Sequence, residues 1–168
     1  YVETDVANPI SVYGASKLQG EVEIQKTYKK HFIIRTSWLY CEHGTNFMTT
    51  MVRLAETRDE ISVVSDQIGT PTYAGDLAEV ILKIVRSKNT NFGLYHYSND
   101  GVASWYDFAK AIFEESNKEI RLNPIKTEAY PTPAKRPVYS VMDKTKIKSV
   151  LGIEIQFWDD HIKTIINI

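Results

Sequence analysis

The chain has 168 residues, 43% of them hydrophobic and 24% charged, with 20 Lys plus Arg against 21 Asp plus Glu. That length carries one domain with a real core, and the near charge balance argues against nucleic-acid or polybasic membrane binding. No apolar run approaches the roughly 20 residues that span a bilayer. The single cysteine, Cys41, excludes an internal disulfide and points to a reducing, cytoplasmic setting.

The opening "YVETDVANP" has no basic start and no apolar stretch, so it does not read as a signal peptide. It also lacks an initiator methionine, and the chain is expected to be the C-terminal piece of a longer protein. Ser11 is a plausible cap for a helix running to about Lys29, with Leu18 and Val22 as its apolar stripe. Phe32, Ile33 and Ile34 read as a buried strand. "NFMTTMVRLAE" reads as a helix, with Phe47, Met51, Leu54 and Ala55 recurring every three or four residues.

"EISVVSD" is a second strand and "QIGTPTYAGD" a loop punctuated by Gly69, Pro71 and Gly75. Asp76 is a good start for the helix "LAEVILKIVRS", and "GLYHYSND" is a third strand. "ASWYDFAKAIFEES" is a helix, apolar at Trp105, Phe108, Ala109, Ile112 and Phe113. "IRLNPIKTE" reads as a short strand, and "AYPTPAKRPVYSVMD" as a Pro-rich loop. "KTKIKSVLG" and "FWDDHIKTIIN" close the chain as two short helices, the first stopped by Gly152. Strands alternate with helices, so the class is α/β. The few visible strands suggest that partner strands lie upstream.

Tyr13 and Lys17 stand four apart, so a helix makes them neighbours. A phenol titrates near pH 10 in water, and a nearby ammonium lowers that value toward a useful range for proton transfer. The pair suits reduction of a carbonyl: hydride arrives at carbon and the tyrosine protonates oxygen. Tyr106 and Lys110 repeat the spacing, so the pattern alone is weak. Around Tyr13, however, Gly14, Ala15 and Ser16 are small enough to let a ligand approach, and Gly20 continues the line. None of the eight glycines is spaced as Gly-x-Gly or Gly-x-x-Gly, so the dinucleotide fingerprint is absent.

"YGASKLQGE" resembles the active-site helix of the extended short-chain dehydrogenase/reductase superfamily. "RTSWLYCEHGTNFMTTMVRLA", "VVSDQIGTPTYAGDLAEVI", "GLYHYSNDGVASWYDFAKAI" and "TPAKRPVYSVMDKTKIKSVLGIE" narrow the resemblance to the dTDP-4-dehydrorhamnose reductase family, over nearly the whole chain. The resemblance implies NADPH- or NADH-dependent reduction of the 4-keto group of dTDP-4-dehydro-L-rhamnose, for bacterial surface polysaccharide. It implies Tyr13 as proton donor, with Lys17 lowering its pKa and binding the nicotinamide ribose. It implies that Trp38 contacts the deoxysugar; strand-end packing is the plain alternative. The fold implied is the last part of a Rossmann-like NAD(P)-binding domain (about 1–42 and 74–100) interleaved with a small α/β substrate-binding domain (about 43–73 and 101–168). The cofactor-binding N-terminal half would lie upstream, with the Ser/Thr that completes the catalytic trio. Residues 1–168 are therefore expected not to turn over substrate alone. A homodimer of the longer protein is compatible with this reading. An epimerase or dehydratase of the same superfamily, or a regulatory subunit, remains as an alternative.

Arg136, in "PAKRPVYS", offers a fork of donors that suits a diphosphate, against an ordinary solvated loop arginine. Asn46 opens a helix after a glycine loop, where backbone N–H groups can meet an anion; simple capping is the alternative. "DQIGTPTY" is a candidate substrate-side loop. His31, His43, His96 and His161 show no ligand spacing, so no catalytic metal is expected, although some relatives use Mg²⁺. Cys41 reads as a packed thiol and "FWDDH" as a wet helix end.

Overall fold

Ser11 ends the polar opening as a helix cap, its hydroxyl accepting from the Gly14 N–H at 3.1 Å. Helix α1 runs Val12–Thr27 in the computed structural model, which describes residues 1–134 and 136–166. No α1 residue is buried. The expected stripe of Leu18 and Val22 is only half-covered, because a stripe of two apolar side chains cannot drive burial against this chain alone. Glu21 tethers the helix instead, taking both Arg35 Nε at 2.8 Å and Arg35 Nη2 at 2.7 Å.

Strand β1 (Phe32–Arg35) pairs in parallel with the later β6 (Gly93–His96). Between them run β2 (Leu39–Tyr40), α2 (Phe47–Leu54), β3 (Glu60–Val64), β4 (Ile68–Gly69), β5 (Thr72–Tyr73) and α3 (Ala74–Ser87). After β6 come β7 (Ala103–Ser104), α4 (Trp105–Glu115), β8 (Arg121–Ile125), a 3₁₀ turn at Thr127–Ala129, α5 (Thr145–Leu151) and α6 (Ile162–Ile165). The strands pair two by two: β1 with β6, β2 with β5 and β3 with β8 in parallel, and β4 with β7 antiparallel. The architecture is mixed α/β with mainly parallel pairing.

Three local readings need correction. "QIGTPTYAGD" is not all loop; it holds β4 and β5, whose partners lie far along the chain. Helix α3 starts at Ala74 rather than after Asp76, which sits in its first turn and accepts from Asn99 Nδ2 at 2.6 Å. "FWDDH" precedes the four-residue α6 as a turn, and within it Trp158 is buried. The stop at Gly152 is observed, with the left-handed φ of 63° that favours glycine.

Two apolar clusters form the interior. One joins Val80, Ile84, Tyr95, Tyr97, Ile147 and Ile153 under the β1–β6 pair. The larger one gathers α2, α4, α6 and β3 around Phe108, Ile112 and Ile162, all fully buried. Asn99, also fully buried, sits where distant chain segments meet. Its side chain accepts from the Tyr73 N–H at 2.8 Å and donates to Asp76 and to the Gln156 carbonyl, while its own carbonyl accepts from Lys144 Nζ at 3.2 Å.

Candidate active site

Helix α1 sets Tyr13 and Lys17 on one face, with Lys17 Nζ 5.5 Å from the centre of the Tyr13 ring. Tyr13 is 72% exposed, so its hydroxyl is accessible. Among the described residues no carboxylate pairs with Lys17. The small neighbours divide in role. A Cβ on Gly14 would come within 3.2 Å of Pro9 Cβ, so this glycine packs against the preceding turn. Gly20 faces open space, with nothing within 4 Å of an added Cβ.

Trp38 lies between β1 and β2 with a φ of 46°, a left-handed conformation that is unusual for a bulky residue. Its carbonyl accepts from the Thr72 N–H at 3.1 Å, which holds the strained residue to β5. Its indole stacks on Trp105, centroids 3.6 Å apart and planes 11° apart. Phe47 packs on the same Trp105 at 4.7 Å. Trp105 owes its place to the helix start: Ser104 and Asp107 form a capping box that fixes the first turn of α4. The sequence reading put Trp105 on the apolar face of its helix and missed the stack; the Ser104-to-Asp107 spacing is the local signal that places it.

Asn46 is a helix cap whose polar atoms are already used. Its Oδ1 accepts from the Thr49 N–H, and its Nδ2 donates to the Cys41 carbonyl at 2.7 Å and the His43 carbonyl at 3.3 Å. A direct side-chain contact to a ligand would have to break these bonds. Arg136 is exposed. Two residues beyond it the chain joins β4: the Ile68 N–H donates to the Val138 carbonyl and the Ser140 N–H to the Ile68 carbonyl, both at 2.8 Å. The Arg136 loop therefore reaches the same β4 edge that touches Trp38. The structure thus brings Trp38, the helix that Asn46 caps and the Arg136 loop around one aromatic centre. Tyr13 and Lys17 stand apart on α1; no hydrogen bond or ring contact among the described residues joins them to that centre.

A second polar group was not foreseen. Tyr73 stacks on His161 at 4.5 Å and directs its hydroxyl toward Glu42. Burial first, and then Glu42, push the Tyr73 phenol above its ordinary range. His161 Nε2 lies 2.9 Å from Asp76 Oδ1, close enough for an ion pair when protonated but without hydrogen-bond alignment. No group of three or more His, Cys, Asp or Glu that could hold a metal ion occurs among the described residues. No helix among them is long and apolar enough to cross a membrane.

Comparison with known proteins fits this geometry. The family described as RmlD substrate binding domain matches residues 1–168. A dTDP-4-dehydrorhamnose reductase of Aggregatibacter actinomycetemcomitans is 45% identical over 175 residues, covering 98% of this chain and 60% of that protein. The crystal structure of a Clostridium acetobutylicum dTDP-4-dehydrorhamnose reductase superposes with a TM-score of 0.94 at 42% identity, over 99% of this chain and 59% of that one. That of the Bacillus anthracis reductase, in complex with NADP, gives 0.90 at 41%, over 98% and 58%. The chain spans about three-fifths of the length of these relatives. Family match, sequence identity and backbone agree, and the chain belongs to the RmlD substrate-binding domain family.

Proposed function

We propose that this chain is the substrate-side part of a cytoplasmic NAD(P)H-dependent reductase that converts dTDP-4-dehydro-L-rhamnose to dTDP-L-rhamnose. The observation that carries the reading is the accessible Tyr13–Lys17 pair on α1, in a chain whose relatives bear the reductase name. The residues present fit one end of a nicotinamide cofactor. Exposed Tyr13 and Lys17 and the open flank at Gly20 can receive its ribose. The glycine-rich turn that would cradle its diphosphate is not in this sequence. Residues 1–168 alone are therefore not expected to turn over substrate.

Bound NADPH or NADH supplies hydride to the C4 carbonyl carbon. Tyr13 gives its proton to the carbonyl oxygen, so the ketone becomes a secondary alcohol and the tyrosine is left as a phenolate. The Lys17 ammonium, beside the Tyr13 ring, stabilises that phenolate as it forms. Trp38 sets its indole against the deoxysugar. Arg136 pairs with the diphosphate. Asn46 contributes through the loop it fixes, not through a free amide. The two apolar clusters support a division into Rossmann-side and substrate-side parts, about 1–42 with 74–100 and about 43–73 with 101–168. The clusters cross that division at Ile147 and Ile153, which belong with the first cluster, and at Tyr40, which belongs with the second.

The test is NADPH oxidation by the longer protein that contains this chain, with dTDP-4-dehydro-L-rhamnose, beside its Tyr13→Phe variant. Turnover that collapses in the variant supports the reductase and the role of Tyr13. Dinucleotide binding without turnover would move the assignment to another sugar nucleotide or to a regulatory subunit.

A further inference from the structure

We propose that Trp105 and Gly69 are positioning residues for the sugar subsite: together they hold the Trp38 indole in one orientation. The inference rests on the reading of Trp38 as the sugar contact. Three observations carry it. Trp38 sits in the left-handed backbone region at φ 46°, a conformation that persists in a bulky residue only when the surroundings impose it. Trp105 covers one indole face in a near-parallel stack at 3.6 Å and is itself backed by Phe47. Gly69 approaches the same indole: a Cβ there would lie 2.6 Å from Trp38 Cε2 and 2.7 Å from Cζ2.

The contact at Gly69 leaves little slack. A methyl group there must move the indole or the Ser140 hydroxyl, which would lie 2.8 Å away. The indole cannot slide in its own plane without losing overlap with Trp105. The Ser140 segment cannot retreat freely, because its N–H donates to the Ile68 carbonyl beside the glycine. Stack, glycine contact and backbone bond to Thr72 together fix the orientation in which the indole meets a sugar ring. A preset aromatic face binds without the entropy loss of ordering a free side chain.

The experiment uses the longer protein with Trp105→Leu, Trp105→Phe and Gly69→Ala, measuring kcat and KM for dTDP-4-dehydro-L-rhamnose. A stacked aromatic pair contributes enough that its loss should raise KM roughly three- to tenfold. Loss of sugar positioning raises KM with kcat within about twofold, the signature of lost ground-state and transition-state binding alike. Mere loss of folded protein lowers the apparent kcat and leaves KM unchanged. Trp105→Phe keeps a ring to stack on and should bring KM back to within about twofold of wild type. Folded Trp105→Leu and Gly69→Ala proteins with unchanged KM overturn the proposal. If Trp105→Leu does not fold, Gly69→Ala decides by the same criterion. Wild-type protein that neither binds nor reduces the sugar nucleotide overturns the reductase reading, and this inference with it; wild-type turnover with unaltered variants overturns the inference alone.

Discussion

Helices α1 and α4 carry the same Tyr-x-x-x-Lys spacing and put it to opposite uses. In α4, Phe108, Ala109, Ile112 and Phe113 are buried and Tyr106 leans on their cluster. Lys110 turns away to Glu114, 3.6 Å off. In α1 nothing is buried, and Lys17 lies near the ring of an exposed Tyr13. Helix geometry brings tyrosine and lysine together in both. What separates a candidate acid from a surface pair is whether the core or a carboxylate has already claimed the side chains. An apolar face anchors α4, while Glu21 and its bond to Arg35 anchor α1.

The widest gap between the helices should appear in turnover. In the longer protein, Tyr13→Phe should lower kcat by about 10²–10⁴-fold, the span of a lost general acid, while Tyr106→Phe stays within about twofold. Equal losses in steady-state NADPH oxidation would break the comparison. Next comes stability. Phe108→Ala should destabilise the fold by about 3–5 kcal/mol in urea unfolding, and the half-covered Leu18→Ala by about 1 kcal/mol.

A subtler probe is Glu21→Gln, which removes the charge opposite Arg35. The pair is largely covered, with side-chain exposures of 25% for Arg35 and 16% for Glu21. In the native chain the hydrogen bond to Glu21 holds the Arg35 pKa up, and a guanidinium stays charged even without it, so the variant leaves Arg35 without its counter-charge. The expected loss is about 1–3 kcal/mol, read as faster amide exchange along α1 with α4 unchanged. Faster exchange in both helices would show that they do not respond separately.

The smallest effect should fall outside both helices. Asp66 accepts from the Thr127 hydroxyl at 2.7 Å and from the Thr127 N–H, and these bonds hold its carboxyl below the ordinary value of 3.8. Its folded pKa is thus lower than its unfolded one. The stabilisation is present above that ordinary value and is lost as pH falls through the folded value. Thr127→Val should flatten the acid end of the stability profile without altering amide exchange in α1 or α4. A profile identical to wild type would remove Asp66 from the account.

The two helices also show what can be read from a sequence. The apolar period of α4 is local, and Phe108 and Ile112 mark it without any knowledge of the fold. Ser11 likewise marks where α1 begins. The two-residue strands β4 and β5 have no period of their own. Ile68 pairs with Ser104 and Thr72 with Leu39, and only the folded chain brings those partners close. Tyr13 and Lys17 were legible as neighbours because four residues of helix suffice. The stack of Trp38 on Trp105 was not, since it depends on a positive φ at Trp38 and on the bare backbone of Gly69. Asn46 was visible as a helix start, but its full set of local bonds was not.

The buried amide of Asn99 has a consequence for the order of assembly. Its side-chain partners stand 23, 26 and 57 residues away in the chain. Such a junction closes only after the elements around it have docked, so its bonds form on the native side of the folding barrier. Asn99→Ala should then speed unfolding far more than it slows refolding, moving one limb of a chevron plot and sparing the other. Equal movement of both limbs would place the junction in the nucleus. On the first outcome, Asn99 acts as a latch: it governs how long the two clusters stay joined once folded, and has little say in how fast they meet.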